Sequence, residues 1–161
     1  MSEKNPRQTV EQRLREMGRE LPSVPSPAGS YVPAVRSGSL VFTAGQVPLV
    51  DGKPAYTGKV GDGVFLEEAQ RASATCALNA LAALESLGEG TLDKVRRVVK
   101  VTGFVASAPG FNQQPQVVNG ASDFLGEALG EAGVHARSAV GVAELPMNVP
   151  VEVEITVELE D

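Results

Sequence analysis

The chain has 161 residues, 42% apolar and 21% charged, which suits one compact domain with its own core. Fourteen basic against twenty acidic side chains leave a net charge of −6, which removes the overall positive field of a nucleic-acid binder and leaves room only for a local basic patch, and with no Trp, two Tyr and five Phe stacking platforms are scarce. One Cys and one His exclude an internal disulfide and argue against a Cys/His metal site.

Met1 to Gly18 is polar and charged, with nothing resembling a secretory signal. No run approaches the roughly 18 apolar residues of a membrane helix, so the reducing cytoplasm is the expected location. Thr9 and Gln12 have capping-box spacing, and Val10, Leu14 and Met17 form a thin apolar stripe ending at Gly18. A helix with so narrow a stripe must dock on something or fray. Leu21 to Ser30 carries three prolines and reads as an extended linker, dividing an appendage, residues 1–30, from a main domain, residues 31–161.

The main domain opens with strands over Tyr31 to Val35 and Leu40 to Gln46, joined through Arg36-Ser37-Gly38-Ser39. Pro54 to Gly63 is rich in turn formers and is expected to be loop. Leu66 to Leu87 predicts a long helix with Glu67 and Glu68 at its positive end and Gly88 after its close. In its second half Asn79 is the only polar residue from Cys76 to Leu84, so more than one face must be buried. Val95 to Val105 reads as a strand, and Gln114 to Ala132 as a helix that Gly120, Gly126 and Gly130 weaken intrinsically.

Arg137 to Ala143 and Val149 to Leu159 are the closing strands, separated by Pro146 and Asn148. In the last strand Val151, Val153, Ile155, Val157 and Leu159 alternate without fault with polar residues. The order of elements predicts an α+β layer fold, with two helices packed on one face of a mixed sheet.

No phosphate loop, dinucleotide fingerprint, zinc-protease motif or nucleophile elbow occurs, so cofactor and triad chemistry lack a basis here. Cys76 is expected to be a small buried hydrophobe, and His135 an exposed or capping residue. Arg137 shares one side of its strand with Ala139, Gly141 and Ala143, a row that leaves space beside a cation. Its planar fork suits either a bound carboxylate or a structural ion pair with a strand glutamate. Glu152, on the polar side of the last strand, has the chemistry to take a proton from water and return one to a leaving amine, and a hairpin through Pro146 would bring it towards Arg137. The solvated-face reading is retained for Glu154, Glu158 and Glu160.

The run Ala136-Arg137-Ser138-Ala139-Val140-Gly141-Val142-Ala143-Glu144-Leu145-Pro146, followed by Val151-Glu152-Val153, resembles the C-terminal signature of the RidA/YjgF family, also called endoribonuclease L-PSP. Tyr31-Val32, Thr43 to Pro48, Val99-Lys100-Val101 and Val118-Asn119 follow the family's order and spacing. The resemblance implies a chorismate-mutase-like homotrimer with a cleft between each pair of subunits. It implies hydrolysis of enamines and imines to a 2-keto acid and ammonia, without a cofactor and without a metal. Arg137 and Glu152 would be catalytic, Arg137 holding the carboxylate of a small metabolite and Glu152 activating water. Tyr31, Ala44, Gly45, Gln46, Asn119, Ser138 and Ala139 would line the cleft. Ala139 and Gly141 stand where many members carry Cys and Glu, which predicts a larger and less polar pocket. A non-catalytic trimer that binds a carboxylated metabolite or a protein is the alternative, and ribonuclease activity is disfavoured by the acidic charge.

Overall fold

A computed structural model describes residues 7–27 and 29–161. The readings that fall on residues 1–6 and on Ala28 of the linker lie outside the described residues. Helix α1 (Val10–Glu16) is followed by strands β1 (Ala34–Ser37) and β2 (Leu40–Thr43). Four two-residue strands come next: β3 (Leu49–Val50), β4 (Lys53–Pro54), β5 (Lys59–Val60) and β6 (Gly63–Val64). Then come α2 (Leu66–Glu85), β7 (Val95–Ala106), α3 (Gln114–Leu129), β8 (Ala136–Val142) and β9 (Val151–Leu159).

The main sheet has the order β1-β2-β9-β7-β8, with β7 and β8 parallel and the other pairs antiparallel. The faultless alternation of β9 places Val151, Val153, Ile155, Val157 and Leu159 in the core under α2. In β7 the buried positions are Val95, Val98 and Val101, then Gly103, Val105 and Ala106. Register shifts between Val95 and Arg97 and between Val98 and Lys100 account for the early three-residue spacing, because each inserts an unpaired residue and the inward face resumes one position later.

Helix α3 packs beside α2 over β7 and β8. Gly120 is a contact point between the helices, since a Cβ there would collide with the Gln70 carbonyl oxygen. The helix stops at Leu129 rather than at Ala132, because Gly130 turns to φ +63° and a short 3-10 turn follows. The Pro54 to Gly63 segment, expected to be loop, contains short pairings, and Val60 within it is buried, its carbonyl accepting the Ala108 N–H at 3.0 Å. The predicted capping box of α1 forms, with Gln12 N–H donating to Thr9 Oγ1 at 3.2 Å. The thin stripe docks, as it must: Val10 and Leu14 enter the core beside α3.

Candidate active site

Arg137 sits on the edge strand β8 opposite Val101 of β7, which is buried under the helices, so its side chain leaves the sheet on the helical side. It runs along α3. Nη1 donates to Asn119 Oδ1 at 2.8 Å and to Ser122 Oγ at 3.1 Å, and Nη2 donates to the Pro115 carbonyl at 3.2 Å. All three acceptors are neutral. Among the described residues no carboxylate pairs with Arg137, although Lys59, Arg96 and Arg97 do find glutamates. The ion-pair reading therefore fails, and the half-buried guanidinium donates only to neutral acceptors, with no hydrogen bond from its Nε–H among the described residues.

Glu152 occupies the opposite face. It lies in a row with Phe104 and Val140, while its neighbours Val151 and Val153 point into the core. The strand expected to run from Leu40 to Gln46 breaks beside it. From Phe42 to Gln46 the chain advances four positions while its partner advances three, from Thr156 to Val153, so one extra residue bulges out at Ala44-Gly45. Thr43 Oγ1 takes the Ile155 N–H at 3.0 Å, and Gln46 then rejoins Val153 through paired backbone hydrogen bonds of 2.8 and 2.9 Å. Glu152 folds over the backbone of Gly45, where a Cβ would overlap its carboxylate. Asn79, the lone polar residue in the apolar half of α2, donates to the Val47 and Leu49 carbonyls at 3.0 and 3.1 Å and fixes the segment that follows. Burial pushes the Glu152 carboxyl up from its ordinary value, and the charge of Glu154 adds to the shift.

The predicted residues thus form two groups. Arg137, Asn119 and Ala139 gather on the helical side, while Glu152, Ala44 and Gly45 gather near the open face and Gln46 pairs with Val153, whose side chain enters the core. No hairpin through Pro146 brings Arg137 and Glu152 together, because β7 lies between β8 and β9. Ser138 alternates away from Arg137 and joins Thr102 and Glu154 on the open face. Tyr31 is exposed and packs against Gly29. The space expected beside Gly141 is occupied by a polar side chain: Gln114 Nε2 lies 2.9 Å from where a Gly141 Cβ would stand, and it donates to Ser107 Oγ and to the Phe111 carbonyl. The larger, less polar pocket is therefore corrected at this end.

Cys76 is buried, and burial pushes its thiol well up, which keeps it unreactive. Among the described residues, no three His, Cys, Asp or Glu side chains gather as a metal site would require. No helix of the described chain is long and apolar enough to cross a membrane. Two surface concavities run along α1, and neither includes Arg137 or Glu152.

The family model of endoribonuclease L-PSP matches residues 21–159. The chain belongs to the endoribonuclease L-PSP family. This is the RidA/YjgF family that its motifs resemble, and α1 precedes the matched residues. Protein TCP17 of Trypanosoma cruzi is 43% identical over 147 residues, covering 91% of each chain. A protein of Dermatophagoides farinae named 2-iminobutanoate/2-iminopropanoate deaminase is 34% identical over 139 residues, covering 86% of this chain and 93% of its own. The crystal structure of a protein of unknown function from Agrobacterium tumefaciens superposes with a TM-score of 0.88 at 47% identity, covering 94% of both chains.

Within this endoribonuclease L-PSP fold, sequence reasoning passed over Ser122 and Gln114 as site residues and gave His135 no link to Arg137. His135 Nδ1 lies 2.6 Å from the carbonyl of Gly133, the last residue of the 3-10 turn, so of the two expected roles it takes the capping one and not the exposed one, and its Nε2 also lies 2.9 Å from Ser122 Oγ. The available signal was its place two residues before Arg137, on the same side of the chain by alternation.

Proposed function

We propose that this protein hydrolyses 2-imino acids, and the enamines that tautomerise to them, at clefts shared by neighbouring protomers of a homotrimer. The observation that carries this reading is the Arg137 guanidinium, half-buried, held by neutral acceptors, and open along its Nε edge to a bidentate carboxylate. Relatives named as imine deaminases support the reaction class. Opposite placement of Arg137 and Glu152 supports the sharing, because a second copy must present its Glu152 face to the Arg137 edge of the first. Val35, Phe42 and Val140 leave exposed apolar surface on that open face for such a copy to cover.

In the shared cleft Arg137 fixes the substrate carboxylate. Glu152 takes a proton from water as the water oxygen bonds to the imine carbon, and passes it to the nitrogen that receives the C=N π pair. It then takes the hydroxyl proton and delivers it to the same nitrogen as the C–N bond breaks. A 2-keto acid and ammonia leave, and neither step draws on a cofactor. A carboxyl whose proton affinity is raised by burial suits this two-way traffic. The reading places the protein in the cytoplasm, beside the enzymes that release such imines. The family's ribonuclease name finds little support in a chain of net charge −6.

The test generates 2-iminobutanoate with an amino-acid oxidase and follows its loss with and without the protein. Hydrolysis accelerated by the native chain, and abolished alike by Arg137→Ala and Arg137→Lys, is expected, since a point charge does not reproduce the fork. No acceleration, with 2-oxobutanoate still stabilising the native chain and not Arg137→Ala, would establish the non-catalytic binder that Ala139 and Gly141 favour.

A further inference from the structure

Arg137 is the near end of a chain of hydrogen bonds that leads away from the proposed cleft. The Gly133 carbonyl can only accept, so His135 Nδ1 carries a hydrogen and donates across 2.6 Å. In the neutral ring Nε2 is then an acceptor, and the Ser122 hydroxyl donates to it across 2.9 Å. That leaves the Ser122 oxygen lone pairs for Arg137 Nη1 at 3.1 Å. Each link fixes the direction of the next, and its far end is a backbone carbonyl in the short 3-10 turn after α3.

We infer that Ser122 and His135 are positioning residues for the Arg137 fork, setting the rotation at which its Nε edge meets a carboxylate. An arginine side chain on an edge strand has much rotamer freedom to lose on binding. Asn119 and Pro115 secure the guanidinium from α3, but Asn119 is exposed and, among the described residues, its amide makes no side-chain hydrogen bond besides the one to Arg137. Of the two side-chain acceptors, Ser122 is the one whose own orientation is fixed by a further partner. The ring of His135 is half-buried between that hydroxyl and the Gly133 carbonyl, so it holds one tautomer. Losing the relay leaves the charge of Arg137 in place and loosens its direction, which affects bidentate recognition most.

The inference rests on the reading of Arg137 as a carboxylate clamp, and its test separates the two. Binding of 2-oxobutanoate is measured by calorimetry in Ser122→Ala, His135→Phe and His135→Gln, with Arg137→Ala alongside. Phe keeps ring volume without an acceptor, whereas Gln offers an amide oxygen near the position of Nε2. Ser122→Ala and His135→Phe are expected to weaken binding about tenfold, the order of one hydrogen bond to a charged group, and His135→Gln to restore it to within about threefold of the native chain. In imine hydrolysis KM rises in the two weakened variants while kcat holds, the mark of lost uniform binding. Native affinity in Ser122→Ala and His135→Phe, with binding lost in Arg137→Ala, would overturn the relay and leave the clamp standing. Equal losses in His135→Phe and His135→Gln would also overturn it, by showing that the ring acts through packing. Native affinity in Arg137→Ala would instead overturn the clamp itself.

Discussion

Substituting Gly45 by Ala moves the proposed proton carrier without removing it. The backbone of Gly45 is not left-handed, so it accepts an L side chain without strain. The new Cβ would stand 2.9 Å from Glu152 Cδ and 3.2 Å from Cγ, closer still to Oε1, where ordinary contact begins at 3.4 Å. The obstructed atoms are the end of a flexible side chain, so the carboxylate swings away by about 1 Å and the fold is kept, with Tm within about 3 °C of the native value. A displacement of that size at a reacting group costs about 100-fold in rate, or about 2.7 kcal/mol of transition-state stabilisation. The assay is 2-iminobutanoate hydrolysis alongside 2-oxobutanoate binding. The expected result is a kcat lowered about 100-fold with the keto-acid Kd within about twofold of native, because Arg137 is untouched. Undiminished kcat in a folded Gly45→Ala protein would refute the placement of Glu152 in the chemistry.

Three further outcomes follow from the same geometry. Glu152 holds its proton more tightly in the folded chain, so its contribution favours folding below the ordinary carboxylate range and fades as pH rises through the raised value. The acid limb of activity should accordingly lie above that range, and Glu154→Gln should move it down in a pH–rate profile. Gln114→Ala clears the space beside Gly141, and kcat/KM for imines with one or two more methylenes should rise about tenfold relative to the shortest ones, as competition kinetics would show. Leu14→Ala should destabilise the chain by about 2–4 kcal/mol in urea denaturation, since Leu14 is 1% exposed and α1 is part of the core.

The layer architecture was legible because burial imposes period. β9 has one face against α2, and its residues alternate accordingly, while the long apolar half of α2 announced burial on several sides. The face on which Arg137 lies was not legible. Alternation assigns Arg137 to one side with Ala139 and Gly141, but which side that is depends on the register of β8 against β7, a pairing between segments that sequence spacing does not encode. Two bulges in β7 shift that parity again. The same limit hid the break in β2, since Thr43-Ala44-Gly45-Gln46 carries no proline and its extra residue appears only against Val153. Absence of a side chain at Gly141 was visible, and its occupation by Gln114, 27 positions earlier, was not.

The sharing of the site between protomers is tested most directly by complementation. Arg137→Ala and Glu152→Gln chains, each inactive alone, are unfolded together, refolded at equal concentration and assayed for imine hydrolysis. Random assembly gives about a quarter of the interfaces a native Arg137 from one copy and a native Glu152 from the next, so activity should return to about a quarter of the native level. A mixture as inactive as its components, with mixed assemblies verified by mass, would contradict a cleft built from two chains.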